Sequence, residues 1–299
     1  MGATFRVSMF KSGFVSIIGR PNSGKSTLLN QLLGEKVSIV SDKPQTTRES
    51  ILGILTREEG QIVFTDTPGI HKPGYELNRR MMRTVYDSLE GTDLLLLIVD
   101  ASTSFGSGDQ YVLDLIRERH VQTFLLLNKT DLVRKDALLP LISLYSGKQP
   151  FAEVVPISAL QRDNLELLVT LILKYLPEGP PHFPEEQYTD RHERFLVGEM
   201  VREKVLLHTH EELPYSTTVQ VTRFDESLGQ VVVLHCDIFV EKESQKKIVI
   251  GSQGQKLKQI GTDARLEIEG LLGKRVFLEL FVRVKPKWRD DSRFLDNLR

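Results

Sequence analysis

Residues 19–26 read Gly19-Arg20-Pro21-Asn22-Ser23-Gly24-Lys25-Ser26, with the spacing G-x-x-x-x-G-K-S. An apolar run at 14–18 precedes it and predicts a buried strand, while residues 27–33 after it have helical spacing. A strand, a glycine turn and a helix N-terminus form a cradle for phosphate groups, because backbone N–H groups and the helix dipole face the anion. The sequence therefore predicts a nucleoside triphosphate site at the start of an α/β domain.

The residues of this loop have separate chemical roles. Gly19 and Gly24 permit the tight turn, the Lys25 ammonium can reach the β and γ phosphates, and the Ser26 hydroxyl can ligate Mg²⁺. The predicted nucleotide contacts in and just after the loop are Gly19, Asn22, Ser23, Gly24, Lys25, Ser26 and Thr27.

Length and composition exclude several classes of protein. With 299 residues, 40% of them hydrophobic, the chain can bury a sizeable core, and its length favours two domains. The single cysteine, Cys236, excludes an internal disulfide and favours a reducing compartment. The longest apolar run, residues 94–99, is far shorter than the roughly 20 residues that span a bilayer. Residues 1–12 contain no apolar block of signal-peptide length, so we expect a flexible extension and a cytoplasmic protein.

The formal net charge is only −1, but the charge is unevenly distributed. Residues 242–289 carry twelve basic and five acidic side chains, a balance of +7, so the remainder of the chain carries −8. Such an asymmetry indicates a basic module joined to an acidic one, although solvated helix faces would give the same count. A boundary between the modules is predicted at 176–186, where prolines and a glycine cannot continue a helix.

The predicted organisation has five parts. They are a flexible N-terminal extension (1–12), a nucleotide-binding domain (13–176), a linker (177–190), a basic domain (191–289) and a C-terminal tail (290–299). In the nucleotide-binding domain, strand-like runs at 61–65, 94–99, 123–127 and 154–157 alternate with helical stretches at 77–89, 109–119 and 165–175. This alternation predicts a doubly wound, largely parallel sheet with ligands at the carboxyl ends of its strands.

Polar motifs follow three of the predicted strands. Asp66-Thr67-Pro68-Gly69 has the form D-x-x-G, in which the aspartate can hold Mg²⁺ through a water and the glycine N–H can contact the γ phosphate. Asn128-Lys129-Thr130-Asp131 has the form N-K-x-D, whose last carboxylate can accept from guanine N1–H and the exocyclic amine while the lysine stem covers the base. Ser158-Ala159-Leu160 would place a backbone N–H against guanine O6. Together these motifs predict GTP, in preference to ATP, as the nucleotide.

In this order, the motifs are similar to those of the translation-factor-like GTPases, over residues 13–176. The resemblance implies a Mg²⁺-dependent GTPase that binds GTP and GDP. It also implies that a threonine before the D-x-x-G strand completes the Mg²⁺ shell, for which Thr47 is preferred and Thr46 is the alternative. The implied metal ligands are Ser26, Thr47 and Asp66, and the implied catalytic residues are Asn22, Lys25, Ser26, Thr47, Asp66 and Gly69.

The position after Gly69, which normally carries a water-orienting glutamine, is occupied by Ile70. Because an isoleucine cannot polarise water, we expect slow intrinsic hydrolysis. GTPases similar in this respect carry an asparagine in the phosphate loop, here Asn22, and some of them use K⁺ in place of an arginine finger. Acceleration by K⁺ near Asn22 or by a bound partner is one hypothesis, and a purely loop-shaping role for Asn22 is the other.

The basic module has a motif of its own. After a helix predicted at 193–207 and strands predicted at 216–223 and 230–240, Gly251-Ser252-Gln253-Gly254 lies between two amphipathic segments with lysines on both sides. The element order α-β-β-α-α-β resembles that of an α+β type II KH domain, which implies RNA binding through close backbone approach and neutralisation of phosphates. The implied RNA-binding residues are Lys246, Lys247, Ile250, Gly251, Ser252, Gln253, Gly254, Lys256 and Lys258.

A doubly wound P-loop GTPase domain followed by a type II KH domain resembles the Era family of bacterial GTPases almost end to end. Further stretches with this resemblance are 44–48, 66–73, 176–180, 244–246, 250–251 and 288–289, whereas Ser23 stands where the family usually has Val or Ala. The resemblance implies a ribosome-assembly factor that binds the 3′ end of 16S ribosomal RNA and the 30S subunit, without an obligate homo-oligomer. It also implies peripheral association with the inner face of the cell membrane in some members.

Three other functions fit parts of the sequence. A GTP-sensing RNA-binding switch with negligible turnover is favoured by Ile70. A GTPase of another RNA process, such as tRNA modification, is disfavoured because there is one GTPase domain and no catalytic cysteine near the C-terminus. An ATPase is disfavoured by Asp131.

Overall fold

The computed structural model describes residues 10–43, 45–70, 75–209, 213–227 and 229–298. It has two compact units. The N-terminal unit comprises residues up to 38 together with 47–71 and 81–190, and the C-terminal unit comprises 39–46, 72–80 and 191–299. Residues 1–9 of the predicted extension and the predicted family stretch at His71, Lys72 and Pro73 lie outside the described residues.

A six-stranded sheet forms the centre of the N-terminal unit. Its strands are β1 (Lys11–Ile18), β2 (Ile51–Arg57), β3 (Gly60–Asp66), β4 (Leu94–Asp100), β5 (Thr123–Asn128) and β6 (Glu153–Pro156). They are arranged in the order β2-β3-β1-β4-β5-β6, and all are parallel except β2, which runs antiparallel to β3. The helices of this unit are α1 (Lys25–Leu33), α2 (Glu76–Leu89), α3 (Ser107–Arg117), α4 (Leu138–Ser146) and α5 (Leu165–Tyr175). The predicted doubly wound α/β fold is confirmed.

Burial explains which strands could be recognised. The first six residues of β4 are all buried, as expected for a parallel strand inside an α/β fold.

Strand β2 and helix α4 were not predicted. In β2, a Cβ on Gly53 would lie 2.5 Å from Leu29 Cδ1, so the glycine allows α1 to pack directly on this strand. In α4, Pro140 lies in the first turn, where a proline is tolerated.

The C-terminal unit contains a three-stranded sheet and helices. In chain order the elements are α6 (Glu193–His208), α7 (Leu213–Ser216), β7 (Thr218–Asp225), β8 (Val231–Val240), α8 (Glu243–Ile250), α9 (Gln255–Leu272), β9 (Arg275–Val284) and α10 (Ser292–Asp296). Strand β8 is central, antiparallel to β7 and parallel to β9. This confirms the predicted α-β-β-α-α-β order, with the short α7 as an addition.

Alternate residues of β8 supply the core of this unit. Val232, Leu234, Cys236, Ile238 and Val240 all face inward and are at most 1% exposed. Burial raises the pKa of the Cys236 thiol to about 12, so this residue acts as a small apolar side chain of the core. Within the described residues, no group of His, Cys, Asp and Glu could hold a metal ion by itself.

The predicted extension, linker and tail are more structured than their composition indicated. Lys11, within the predicted extension, begins β1, because its N–H donates to the Glu59 carbonyl at 3.0 Å. The predicted linker is bonded to the N-terminal unit through isolated bridges, Lys11 to Glu178 and Gly53 to Thr189. The predicted tail contains α10, whose Leu295 is 5% exposed.

No helix among the described residues combines the length and apolar character needed to cross a bilayer.

Candidate functional site

The phosphate loop connects β1 to α1 and depends on its glycines. Gly24 has φ +102°, and a Cβ there would lie 2.2 Å from Asn128 Nδ2. A Cβ on Gly19 would lie 2.4 Å from the Ile98 carbonyl oxygen, and one on Gly69 would lie 2.8 Å from Pro21 Cα. The loop is therefore closely packed against the ends of neighbouring strands, as a turn built to admit phosphates requires.

The Lys25 ammonium is held inside the loop. Its Nζ donates to the carbonyl oxygens of Gly19, at 3.3 Å, and Arg20, at 2.9 Å. Burial lowers the pKa of Lys25 to about 8, although the nearby Asp66 carboxylate acts in the opposite direction. A bound phosphate would strongly stabilise the charged form of Lys25, because the anion would replace the interactions with water that the buried ammonium has lost.

Hydroxyl groups from separate segments converge on Asp66 at the end of β3. Ser26 Oγ donates to Asp66 Oδ2 at 2.7 Å and lies 2.9 Å from Thr47 Oγ1, which is itself 3.5 Å from Asp66 Oδ2. The structure thus brings together the three predicted metal ligands. Thr46 Oγ1 instead donates to the Lys43 carbonyl at 2.6 Å, so the geometry favours Thr47 over Thr46 as the third ligand.

This cluster fits a magnesium ion. Asp66 is fully buried, and its Oδ1 is a buried atom that has no hydrogen-bond partner in the described part of the chain. Burial raises the pKa of Asp66 above its ordinary value, against the effects of Lys25 and of the surrounding hydroxyls. A divalent cation would relieve this uncompensated oxygen, and carboxylate and hydroxyl oxygens suit Mg²⁺.

The residues after Asp66 have different surroundings. Thr67 Oγ1 donates to the Ile17 carbonyl at 2.8 Å, which ties the D-x-x-G turn to β1 beside Pro68. Ile70 is 4% exposed and belongs to the hydrophobic core that includes Met82 and Val85. Its side chain therefore packs in the core. Asn22 is exposed and has φ +62°.

The guanine-type motifs are held together by side-chain hydrogen bonds. Asn128 Nδ2 donates to the Ser23 carbonyl at 2.8 Å, and its Oδ1 accepts from the Ala159 N–H at 2.9 Å, so one side chain joins the phosphate loop to both base motifs. Ser158 Oγ donates to Asp131 Oδ1 at 2.5 Å. Thr27 lies in α1, and Leu160 is 65% exposed. The predicted nucleotide residues are thus at adjoining loops of one unit.

Lys129 is oriented by a residue that belongs to none of the predicted motifs. Its Nζ lies 2.6 Å from Asp100 Oδ2 at the end of β4. Partial burial opposes ionisation, but hydrogen bonds from Lys129 and Ser102 hold the pKa of Asp100 below its ordinary value. Because the register pairs Asp100 with Asn128, a confident strand alignment would have found this contact.

Two further side chains support the site without belonging to a motif. Ser38 Oγ donates to Asp66 Oδ2 at 2.8 Å, and Asp109 Oδ2 accepts from Arg20 Nη1 in the phosphate loop at 2.8 Å. An isolated serine or aspartate in these segments has no distinguishing sequence pattern, so sequence reasoning could not identify either contact.

The G-x-x-G turn lies between α8 and α9. Gly251 has φ +73° and ψ −179°, a conformation reserved for glycine, and a Cβ there would lie 2.7 Å from Lys256 Cβ. Gly254 has φ +75° with open space around its Cα. The turn thus presents exposed backbone, including the exposed Ser252 and Gln253, at the N-terminus of α9.

A groove of about 420 Å³ adjoins this turn. Its lining residues are Gly254, Leu257, Lys258, Gly261, Thr262, Arg265, Leu278 and Leu280. Gly254 and Lys258 are predicted RNA-binding residues, and Lys256 lies in the first turn of the same helix. Lys246, Lys247 and Ile250 lie on α8 and do not line the groove. The missed residues Thr262 and Arg265 follow Lys258 at helical spacing on one face of α9, a signal that could have found them.

Family models match both parts of the chain. The model described as "50S ribosome-binding GTPase" matches residues 14–129, and the model of the KH domain matches residues 212–289. A curated relative, GTPase Era of Syntrophus aciditrophicus (strain SB), is 50% identical over 288 residues, which cover 96% of this chain and 94% of the relative.

Two solved structures are similar over almost the whole chain. A crystal structure of an Aquifex aeolicus Era variant bound to GDP and AlF4⁻ has 42% identity and a TM-score of 0.93, covering 97% of this chain and 99% of that one. A crystal structure of Era in complex with Mg²⁺, GDPNP and nucleotides 1506–1542 of 16S ribosomal RNA has 42% identity and a TM-score of 0.94, covering 97% and 98%.

Replacing Ser23 by alanine should stabilise the protein. The Ser23 side chain is 2% exposed, and its Oγ is buried without a hydrogen-bond partner among the described residues. Because an unsatisfied buried hydroxyl costs about 1–3 kcal/mol, Ser23→Ala should raise the free energy of unfolding, measured by urea denaturation, by about 1 kcal/mol. Its affinity for GDP should be unchanged, because the residue contributes its backbone.

The matched control is Ser38→Ala. Ser38 is equally buried, at 1% exposed, but its hydroxyl donates to Asp66, so its loss should lower the free energy of unfolding. If Ser23→Ala destabilised the protein as much as Ser38→Ala, or weakened GDP binding, the Ser23 hydroxyl would have a partner in solution.

Proposed function

The chain belongs to the Era family of GTPases, and we propose that it acts in the cytoplasm as a ribosome-assembly factor that binds the 3′ end of 16S ribosomal RNA and the 30S subunit. It is a GTPase, which hydrolyses GTP to GDP and phosphate with Mg²⁺. The observation that carries the proposal is the presence in one chain of a guanine-type phosphate-loop site and of a groove beside a G-x-x-G turn. A relative of the same architecture holds a fragment of 16S ribosomal RNA.

The site's own residues would bind and orient the triphosphate. Ser26, Thr47 and Asp66 would hold Mg²⁺, which when bound neutralises charge on the β and γ phosphate oxygens. Lys25 would exchange its two loop carbonyls for phosphate oxygens, and the backbone N–H groups of the loop would surround the phosphates. The Gly69 N–H would contact the γ phosphate, and the proximity of Gly69 to the phosphate loop, where a Cβ would lie 2.8 Å from Pro21 Cα, supports this role. The rate of hydrolysis would then depend on how these residues position the triphosphate and neutralise its negative charge.

Intrinsic hydrolysis is proposed to be slow because Ile70 packs in the core and offers no polar group to the attacking water. We propose that K⁺ binds beside Asn22, which is exposed in the phosphate loop. The ion would supply the positive charge that an arginine finger supplies in other GTPases. GTP hydrolysis should then be about tenfold or more faster in KCl than in NaCl of equal ionic strength, and Asn22→Gly, which keeps the positive φ accessible, should remove the difference.

Equal rates in both salts would contradict the K⁺ part of the proposal. A rate indistinguishable from uncatalysed GTP hydrolysis in both salts, with and without RNA, would favour the second candidate function, a GTP-sensing RNA-binding switch. The burial of Ile70 is the observation that supports this candidate.

Guanine selectivity is assigned to Asp131. Replacing it by asparagine should weaken GTP binding by about 100-fold and improve binding of xanthosine triphosphate, because the amide no longer accepts two hydrogen bonds from guanine. The Asn side chain can still accept from Ser158 Oγ, so the loop should keep its shape. Affinities for both nucleotides would be measured by competition with a fluorescent GDP analogue.

Asp136→Asn is the matched control, because Asp136 accepts from Arg134 on the surface of the same loop region. Should both variants lose GTP affinity equally, or Asp131→Asn gain nothing toward xanthosine triphosphate, base recognition would lie elsewhere.

RNA binding is tested at Gly254, where the groove begins. Asp and Asn have the same shape, and both tolerate the left-handed conformation of this residue. Gly254→Asp places a negative charge against the RNA phosphates, so it should weaken binding about tenfold more than Gly254→Asn at fixed salt. Binding of a labelled oligonucleotide with the 3′-terminal 16S sequence would be followed by fluorescence anisotropy, with protein loaded with GDP or a non-hydrolysable GTP analogue.

A GTP-switched factor should bind the oligonucleotide more tightly with the analogue than with GDP. If Asp and Asn at position 254 behaved alike, or if a scrambled oligonucleotide bound as well as the 16S sequence, the proposed RNA site would be wrong. GDP affinity should be the same in both variants, since the groove and the nucleotide site are formed by different units.

A further inference from the structure

A buried arginine in the C-terminal unit holds the backbone next to Thr47. Arg202, on α6, is 1% exposed. Its Nη2 donates to the carbonyl oxygen of Thr46, and its Nε donates to Glu199 Oε1 at 2.7 Å. Residues 39–46 belong to the same unit as α6. The same Nη2 also donates to Glu199 Oε2 at 2.5 Å, so the carboxylate holds the guanidinium through two atoms. A guanidinium fixed in this way constrains the accepting Thr46 carbonyl more firmly than a flexible lysine would.

The neighbouring residue of α6 holds the other end of the same segment. Glu203 is 2% exposed, and its Oε1 accepts from the Val40 N–H at 2.8 Å. Its Oε2 accepts from Lys204 Nζ at 2.8 Å, and that ammonium also pairs with Glu267 on α9. Both side chains that hold the segment are therefore themselves held by ion pairs within the C-terminal unit. A backbone donor at residue 40 and a backbone acceptor at residue 46 are both fixed by α6.

The second of these contacts lies one peptide bond from the magnesium cluster. The Thr46 carbonyl and the Thr47 N–H share a rigid, planar peptide group. Thr47 is 6% exposed, and its Oγ1 lies 2.9 Å from Ser26 Oγ. Fixing the Thr46 carbonyl therefore fixes the orientation of the peptide group that leads into Thr47. This restricts the positions that the Thr47 hydroxyl can occupy.

We propose that Arg202 and Glu203 are positioning residues for GTP hydrolysis: they hold the backbone at Thr46 and at Val40 so that the Thr47 hydroxyl is kept in the magnesium cluster. The inference rests on the proposed function, because the role of Thr47 as a Mg²⁺ ligand in the GTP state belongs to it. GDP binding relies on the phosphate loop and on the base motifs, whereas the hydrogen bonds of Arg202 and Glu203 to this segment go to Thr46 and Val40. The two residues therefore act on the GTP state selectively.

The test compares nucleotide states in conservative variants. Arg202→Lys keeps the charge but loses the fork, and Glu203→Gln keeps the shape but weakens the acceptor. Each should lower the affinity for the Mg²⁺ complex of a non-hydrolysable GTP analogue, and kcat, by about 10-fold, the value of one charge-assisted hydrogen bond. GDP affinity should change less than about twofold. Titrations at several Mg²⁺ concentrations should show a larger loss at low Mg²⁺.

The matched control is Arg194→Lys on the same helix. Arg194 donates from Nε, at 3.2 Å, and from Nη2, at 2.5 Å, to a backbone carbonyl, that of Val221 in β7. It has the same chemistry without the connection to Thr47, so this variant should leave the ratio of GTP-analogue to GDP affinity unchanged. Thermal unfolding of all variants separates a loss of folding from a loss of positioning.

A double-mutant cycle with Thr47→Ala completes the test. If Arg202 acts through Thr47, then Arg202→Lys should have almost no further effect on GTP-analogue affinity once the Thr47 hydroxyl is gone. Additive losses in the double variant, or equal losses of GTP-analogue and GDP affinity in Arg202→Lys, would overturn the proposal. A failure of the proposed function would appear separately, as wild-type protein that does not hydrolyse GTP or bind the 16S oligonucleotide.

Discussion

The buried carboxylate of Asp66 is the charge on which the nucleotide site depends. It is fully buried at the end of β3 and accepts from hydroxyls of Ser26, Ser38 and Thr47, which come from different segments of the chain. A carboxylate removed from water is stable only where hydrogen bonds or a cation replace the lost solvation. The segment after α1 is thus drawn to the end of β3 by a local electrostatic need, and the same need makes the site suitable for a divalent cation.

How far the site could be predicted depends on whether its residues are neighbours in sequence. The phosphate loop and the N-K-x-D motif are each an unbroken stretch of sequence, and the apolar run of β4 indicates a buried strand. The fold and the class of nucleotide could therefore be predicted. Ser38 could not be found, because its role exists only once the chain folds back to Asp66. The Asp100 to Lys129 contact follows from the register of β4 and β5, which no single segment specifies.

Composition also misrepresented the connecting segments. Prolines near residue 180 excluded a helix correctly, but they did not reveal that the Pro177 carbonyl accepts from the Ser12 N–H or that Gln61 bonds the backbone of Phe183. Backbone groups of irregular segments must find partners wherever water is excluded. The predicted linker is therefore attached to the sheet by hydrogen bonds that produce no periodic pattern in the sequence.

The burial of the only cysteine has a practical consequence. Cys236 is 0% exposed in the core of the C-terminal unit, and its thiol resists ionisation, so it should react slowly with thiol-directed reagents, which attack through the thiolate. A single cysteine introduced at any chosen surface position could then carry a fluorophore or spin label without removal of the native thiol. A pair of such cysteines introduced within one unit could report the distance between two labelled positions in solution through the nucleotide cycle.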